Sequence, residues 1–306
     1  MRSQTALTAA SMLVMGMLTS SCTTANAPAS NPAQAPRPER TKAEGVALAG
    51  QYATAAELYQ ALRDQAKGGR PLEWASLPDW RGVYTRAPVA GFAFDPETPE
   101  GDLPTAKLTP EYEGRMRKRI EGVKNGIEWD PISTCAPPGH PRWLTEPFLR
   151  EFIVTPEQTW LVNEMVNDIR RVYTDGRDHV PAEDRYPLYN GDSIGFWDGG
   201  RLVVHTNQLQ GGIYQRSNPD YTDQVETVEI WQREGDTITA DVWVYDPPVL
   251  AEPWYVKQAY GKLDPKQDLR IRYWNCAENQ NNAVHQTQDG TTQFNGFTFD
   301  PTTAEK

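Results

Sequence analysis

The chain has 306 residues, a formal net charge of −11, a pI near 4.9, ten tryptophans and thirteen tyrosines. That acidity argues against nucleic-acid binding, which needs a basic face to displace counterions from phosphates. It argues equally against electrostatic attachment to an anionic membrane surface. The length is ample for one large domain or two small ones with a substantial core.

At the N-terminus, Arg2 precedes an apolar run from Ala6 to Leu18, and the small residues Thr19-Ser20-Ser21 lead to Cys22. This order reads as an export signal, and the run is too short for a spanning helix. A cysteine directly after such a region resembles the bacterial lipobox, in which the thiol is acylated and becomes the new N-terminus. Here Thr19 stands where leucine is usual and Leu18 sits one place early. A cut after Ala25-Asn26-Ala27 is the alternative and would release a soluble periplasmic protein. Residues 1–22 are thus read as signal and acylation site, which puts the protein in the bacterial cell envelope, facing the periplasm and held by lipid on Cys22. Residues 23–52, rich in Ala, Pro, Ser, Asn and Thr, read as a flexible tether.

Residues 53–130 read as a helical and irregular region. A helix is expected from Thr54, with Glu57 completing a capping box and Leu58, Leu62 and Ala66 as its stripe. A second is announced by Thr109-Pro110, with Met116, Ile120 and Val123 on one side and Asn125-Gly126 as its stop. A short strand is expected around Trp80–Thr85. From 131 to 300 the period becomes two. Strands are expected over Arg150–Val154, Thr159–Glu164, Asp168–Thr174, Ser193–Trp197, Arg201–Gln208, Val225–Arg233, Thr237–Tyr245, Tyr255–Leu263 and Leu269–Asn275. Consecutive strands without intervening helices make an antiparallel meander. The expectation is a mainly β fold, a barrel or strongly coiled sheet, lipocalin-like in outline, with two N-terminal helices packed outside.

Once Cys22 is set aside, Cys135 and Cys276 remain in a compartment that permits disulfides, and a bridge between them is expected. Chain entropy credits so long a loop with about 4–5 kcal/mol. Two buried free thiols are the alternative.

Candidate chemistry lies on the sheet faces. A three-residue turn at Glu234-Gly235-Asp236 would oppose Val228 to Val242 and Ile230 to Ala240, and would set Glu229 across from Asp241 beside Trp231, Trp243 and Tyr245. Opposed carboxylates among aromatics suit acid–base work or recognition of a polar ring. A solvent-facing surface is the bland alternative. His205 shares a face with Val203, Ile194 and Phe196, so it is either a hydrogen-bonded core histidine or a general base. No histidine shows zinc-site spacing, and no phosphate loop or dinucleotide glycine pattern occurs, so no metal and no cofactor is expected. The G-x-S-x-G match at Gly191–Gly195 is discounted, because a hairpin strand and not a helix follows Ser193. The proline-rich Cys135–Arg142 segment brings His140 and Arg142 to the first long strand. Bridged to Cys276, they would lie near Glu278 and Asn279, as a polar site or as a plug closing the barrel end.

Several of these stretches together resemble a widespread group of exported, uncharacterised bacterial proteins. They are Tyr173-Thr174-Asp175-Gly176-Arg177-Asp178-His179, Ser193 to Gly199, Glu229-Ile230-Trp231, Asp246-Pro247, and Cys276 to Asn279. The resemblance covers about half the chain and implies a β-rich exported domain without a settled activity. Where many of that group have an acidic residue, this chain has His205.

The expected function is binding of a small aromatic or sugar-like molecule by the β domain, with contacts from Trp231, Trp243, Tyr245, Arg142, Glu278 and Asn279. The alternative is a cofactor-independent lyase, isomerase or hydrolase, with His205 or Glu229 as base and Asp241 or His140 as acid. A purely structural or assembly lipoprotein is a third possibility. The enzyme reading requires His205 and Glu229 in one cavity.

Overall fold

The computed structural model describes residues 39–86, 93–98, 101–126, 130–215 and 217–274, together with the strand backbones of 284–286 and 292–294. Nine strands close into one barrel in chain order. They are β1 (Tyr84–Arg86), β2 (Arg150–Val154), β3 (Gln158–Asn163), β4 (Asp168–Tyr173), β5 (Asp192–Asp198), β6 (Arg201–Asn207), β7 (Glu226–Glu234), β8 (Thr237–Tyr245) and β9 (Trp254–Lys262). A separate pair joins β10 (Val284–Gln286) to β11 (Thr292–Phe294).

The predicted barrel is therefore present, with corrections at its margins. It is not confined to residues 131–300, because β1 closes it by pairing antiparallel with β9 from Tyr84↔Lys262 to Arg86↔Tyr260. That closure also accounts for the strand expected over Leu269–Asn275, which does not form over 269–274. With β9 already paired on both sides, no edge remains for another strand. The chain instead straps the turn after β3, where Asn167 bonds the backbone N–H and carbonyl of Trp274 and Phe148 meets the Trp274 ring edge-on at 4.9 Å. One junction is parallel, joining β4 to β5 through Val172↔Ser193 and Tyr173↔Ile194.

Among the described residues three α-helices accompany the barrel: α1 (Lys42–Ala49), α2 (Ala55–Gln65) and α3 (Pro110–Lys124). The two expected helices are α2 and α3. Thr54 and Glu57 form the capping box, and α2 buries Ala55, Leu58, Tyr59 and Leu62. The third, α1, lies in the stretch read as tether, whose end is thus folded and packed. Thr41 and Glu44 cap it reciprocally, and Gly45 lets it approach the sheet: a Cβ there would stand 2.4 Å from the Tyr255 ring. That near-contact, invisible to composition, is what seats α1 on β9.

The β7–β8 turn sets the faces. It uses two residues, with Gly235 at φ +57, so Glu234 pairs with Thr237. A two-residue turn shifts the expected register by one position, which exchanges the faces of β8 against β7. Glu229 consequently lies opposite Val242 and Trp231 opposite Ala240, while Val228 and Ile230 face Trp243 and Asp241. The expected Glu229–Asp241 pair does not exist. Inside the barrel, Trp231 packs with Val242, Val244, Leu202, Val204, Phe152 and Tyr260. Outside, Val228, Ile230, Trp243 and Tyr245 pack with Ile194, Phe196 and Val203 under Ala49, Leu58, Tyr59 and Leu62.

Candidate functional site

Three polar assemblies can be built from the described residues. The first lies inside the barrel. Period two on β4 turns Asp168, Arg170 and Val172 inward. Arg170 grips Glu229 with both terminal nitrogens at 2.9 and 2.6 Å, and also donates to Ser193 and Thr206. Glu229 further accepts from the Trp231 indole at 2.9 Å and the Thr227 hydroxyl at 3.1 Å. His140 enters from the proline-rich segment, with Nε2 at 3.2 Å from Glu229 and Nδ1 at 3.2 Å from Arg170. Since arginine only donates, Nδ1 must accept, which assigns the proton to Nε2 and leaves the imidazole neutral. Burial and then the Arg170 charge bring His140 down to about 4, against the pull of Glu229. Burial pushes the Glu229 carboxyl up, but Arg170 and His140 overcome it and hold it well below the usual carboxylate range. All three side chains are at most 1% exposed. The cluster is sealed and each polar group is already satisfied, so its chemistry is that of an internal fastener tying β4, β6 and β7 to the 140 segment.

The same segment reaches into the barrel interior, where Trp143 meets Phe152, Trp231 and Tyr260. Trp143 and Leu144 are fully buried in the core, and Arg142 pairs with Asp130 and Glu146. Arg142 is only 4% exposed and presents no binding face. Of the other residues expected beside it, Glu278 and Asn279 lie outside the described residues, as does Cys276. Cys135 is not a free thiol.

The second assembly lies on the outer face. His205 stacks on Tyr59 of α2 with ring centroids 5.4 Å apart. Its Nδ1 is 2.9 Å from Nε2 of His179, whose Nδ1 is 2.6 Å from Asp192. Its own Nε2 is 3.1 Å from Glu226. Carboxylate, imidazole, imidazole and carboxylate thus form one chain from the β4–β5 connection to β7. Burial pulls His205 below its ordinary value, opposed by Glu226 and reinforced by His179 and Arg185. His205 and Glu229 therefore stand on opposite faces of the sheet, and the enzyme reading that joined them in one cavity does not survive.

The third is a cleft of about 280 Å³ where the N-terminal turn of α1, β9 and the 95–97 loop meet. Arg40, Lys42, Arg86 and Lys257 line it with Asp95, Glu97 and Gln258, over a floor that includes Tyr255 and Val256. Asp241 stands behind the wall, bonded to Arg40 at 2.9 Å and to the Tyr255 hydroxyl at 2.7 Å. The Arg40 guanidinium lies 5.3 Å over the Trp243 ring. Gln258, itself 1% exposed, accepts from Arg86 at 3.1 Å and donates to the Phe94 carbonyl at 2.6 Å, which fixes the cleft's inner wall.

The expected site residues are thus dispersed. Glu229, His140 and Trp231 are in the interior, and His205 is in the outer histidine chain. Asp241 and Trp243 back the cleft, and Tyr245 is buried under α2. None of the three expected binding aromatics opens to solvent. Arg170, His179 and Arg40 were missed. Arg170 shares the inward face of β4 with Val172, which strict alternation would have revealed; His179 lies in the first stretch of the family resemblance. Among the described residues no group of three His, Cys, Asp or Glu side chains could hold a metal ion. No family profile, curated protein or solved structure matches the chain.

Proposed function

We propose that this protein is an exported, lipid-anchored binding protein of the bacterial envelope, and that the cleft beside α1 takes a small sugar-like molecule carrying an anionic group. The observation that carries this is the convergence of Arg40, Lys42 and Lys257 on a concave site with a rigid Arg86–Gln258 wall and a partly apolar floor. Ligand sites are concave, partly apolar and furnished with a few polar groups that fix orientation. Guanidinium and ammonium groups are the natural partners of a carboxylate or phosphate, while Asp95 and Glu97 offer carboxylate acceptors to hydroxyls. The expected partner is a small molecule, with membrane contact only through lipid on Cys22 and no nucleic acid. A Cys135–Cys276 bridge belongs to the same reading, in keeping with the exported compartment and the engaged Cys135 sulfur.

Thermal shift and calorimetry on the mature chain should be run with glucuronate, galacturonate and glucose 6-phosphate, and with glucose as the neutral control. Binding of at least one anionic sugar is expected, and Arg40→Ala with Lys257→Ala should weaken it at least tenfold. Retention of full affinity by that double variant would move the site elsewhere. Intact-mass analysis of protein purified from membranes should find a diacyl or triacyl mass on Cys22 and two hydrogens fewer than the fully reduced chain. Cleavage after Ala27 would instead support the soluble periplasmic form.

A further inference from the structure

Arg40, Lys42 and Lys257 of the cleft are each paired with a carboxylate, and the pairs differ in how firmly they are held. Arg40 bonds Asp241 at 2.9 Å, and that carboxylate also accepts from the Tyr255 hydroxyl at 2.7 Å. Asp95 accepts from the Thr105 hydroxyl and, at 2.9 Å, from the Glu97 N–H. The Asp241 and Asp95 side chains are 13% and 3% exposed, so both carboxylates are fixed parts of the wall. Lys42 and Glu97 are held differently. They bond each other from α1 and the 95–97 loop, with side chains 41% and 65% exposed. Lys257 also has an exposed partner, Glu39 at 3.1 Å, but of the two glutamates Glu97 is the one that lines the cleft.

An exposed pair of long side chains is worth little, because water solvates both partners well. Lys42 and Glu97 can therefore part to admit a ligand. A purely anionic ligand would take Lys42 and leave Glu97 facing the incoming negative charge, which is a built-in element of rejection. A ligand of both signs would give its anionic group to Lys42 and its ammonium to Glu97, so that no charge loses its partner. Asp95, in the same loop and 3.7 Å from Lys42, adds a second negative charge there. Burial disfavours charge on Lys42, yet Glu97 and Asp95 outweigh it and hold the lysine above its ordinary pKa. The group that meets the ligand is thus an ammonium.

We propose that the cleft takes amino sugars that also carry an anionic group, with Glu97 selecting the ammonium and Lys42, beside Arg40 and Lys257, receiving the anion. This rests on the reading of the cleft as a site for an anionic sugar, and narrows it to a zwitterionic class. The selectivity resides in one exposed side chain, because the other two carboxylates around the cations are already engaged within the wall.

The test is calorimetry at pH 7.0 on the mature chain with glucosamine 6-phosphate and glucosamine 1-phosphate, each against the corresponding glucose phosphate. N-acetylglucosamine 6-phosphate serves as the probe whose nitrogen carries no charge. At least one amino sugar phosphate should bind wild type at least fivefold more tightly than its glucose counterpart, and acetylation should abolish that advantage. In Glu97→Gln the advantage should fall below twofold. The glucose phosphates should bind this variant at least as tightly as wild type, since Lys42 has lost a competing carboxylate. Glucose phosphates that bind wild type with no preference for either amine would overturn the zwitterion class and leave the anionic-sugar reading standing. A Glu97→Gln protein that keeps the preference, or that loses the glucose phosphates as well, would overturn the role of Glu97. Failure of every sugar phosphate to bind wild type and variant alike would remove the anionic-sugar reading and this inference together.

Discussion

Replacing Glu229 with leucine is expected to cost about 3–5 kcal/mol of folding stability, the range for removing one partner of a buried ion pair. The substitution strands the Arg170 guanidinium in the barrel interior and leaves the Trp231 indole and Thr227 hydroxyl without their acceptor. Arg170→Met is expected to cost a similar amount, since it leaves the carboxylate buried beside a neutral imidazole. The double variant should recover more than half of either loss, because a buried pair replaced whole by apolar groups of similar volume is often close to neutral. Denaturant midpoints at pH 7 read all three. A Glu229→Leu protein within about 1 kcal/mol of wild type would mean that this cluster is not the fastener its geometry implies.

Trp231→Ala should be comparably damaging, about 3–5 kcal/mol, for a different reason. The indole is fully buried and lies near-parallel to the Tyr260 ring at 5.6 Å and edge-on to Phe152 at 5.7 Å. Its removal empties the middle of the barrel. Trp231→Phe separates packing from hydrogen bonding, because it keeps a ring in the stack but takes away the donor to Glu229. It should cost about 1.5–3 kcal/mol, the worth of a hydrogen bond to a charged group, since Arg170 still donates to the same Glu229 oxygen. Equal losses for the two variants would show that the hydrogen bond, and not the ring, dominates.

The barrel was legible because period two marks each long strand between Arg150 and Lys262 and no α-helix comes between them among the described residues. The helix starts at Thr54 and Thr109 were legible because caps are local chemistry. What failed was whatever turned on a single residue or on a distant contact. One residue in the β7–β8 turn decided which side of the wall Asp241 and Trp243 occupy, and with it the expected carboxylate pair. The seating of α1 depends on Gly45 meeting Tyr255, two positions far apart in sequence whose encounter leaves no trace in composition. His205 was seen as a candidate, but its partner His179 lies across the β4–β5 connection, and only the closed sheet brings the two rings together. Charged residues inside the wall were the hardest to foresee, since Arg170, Arg150 and Glu229 contradict the simplest rule of which side chains are buried.

The number nine has its own consequence. Neighbours running in opposite senses alternate up and down, so a ring made only of such neighbours must have an even count. An odd ring has to contain a like-sensed pair somewhere, and here it falls between β4 and β5. Two strands of like sense cannot be joined by a tight reversal and need a dozen or more residues between them. The long excursion that carries His179 is thus a parity debt of the architecture, obligatory for closure before it has any other role.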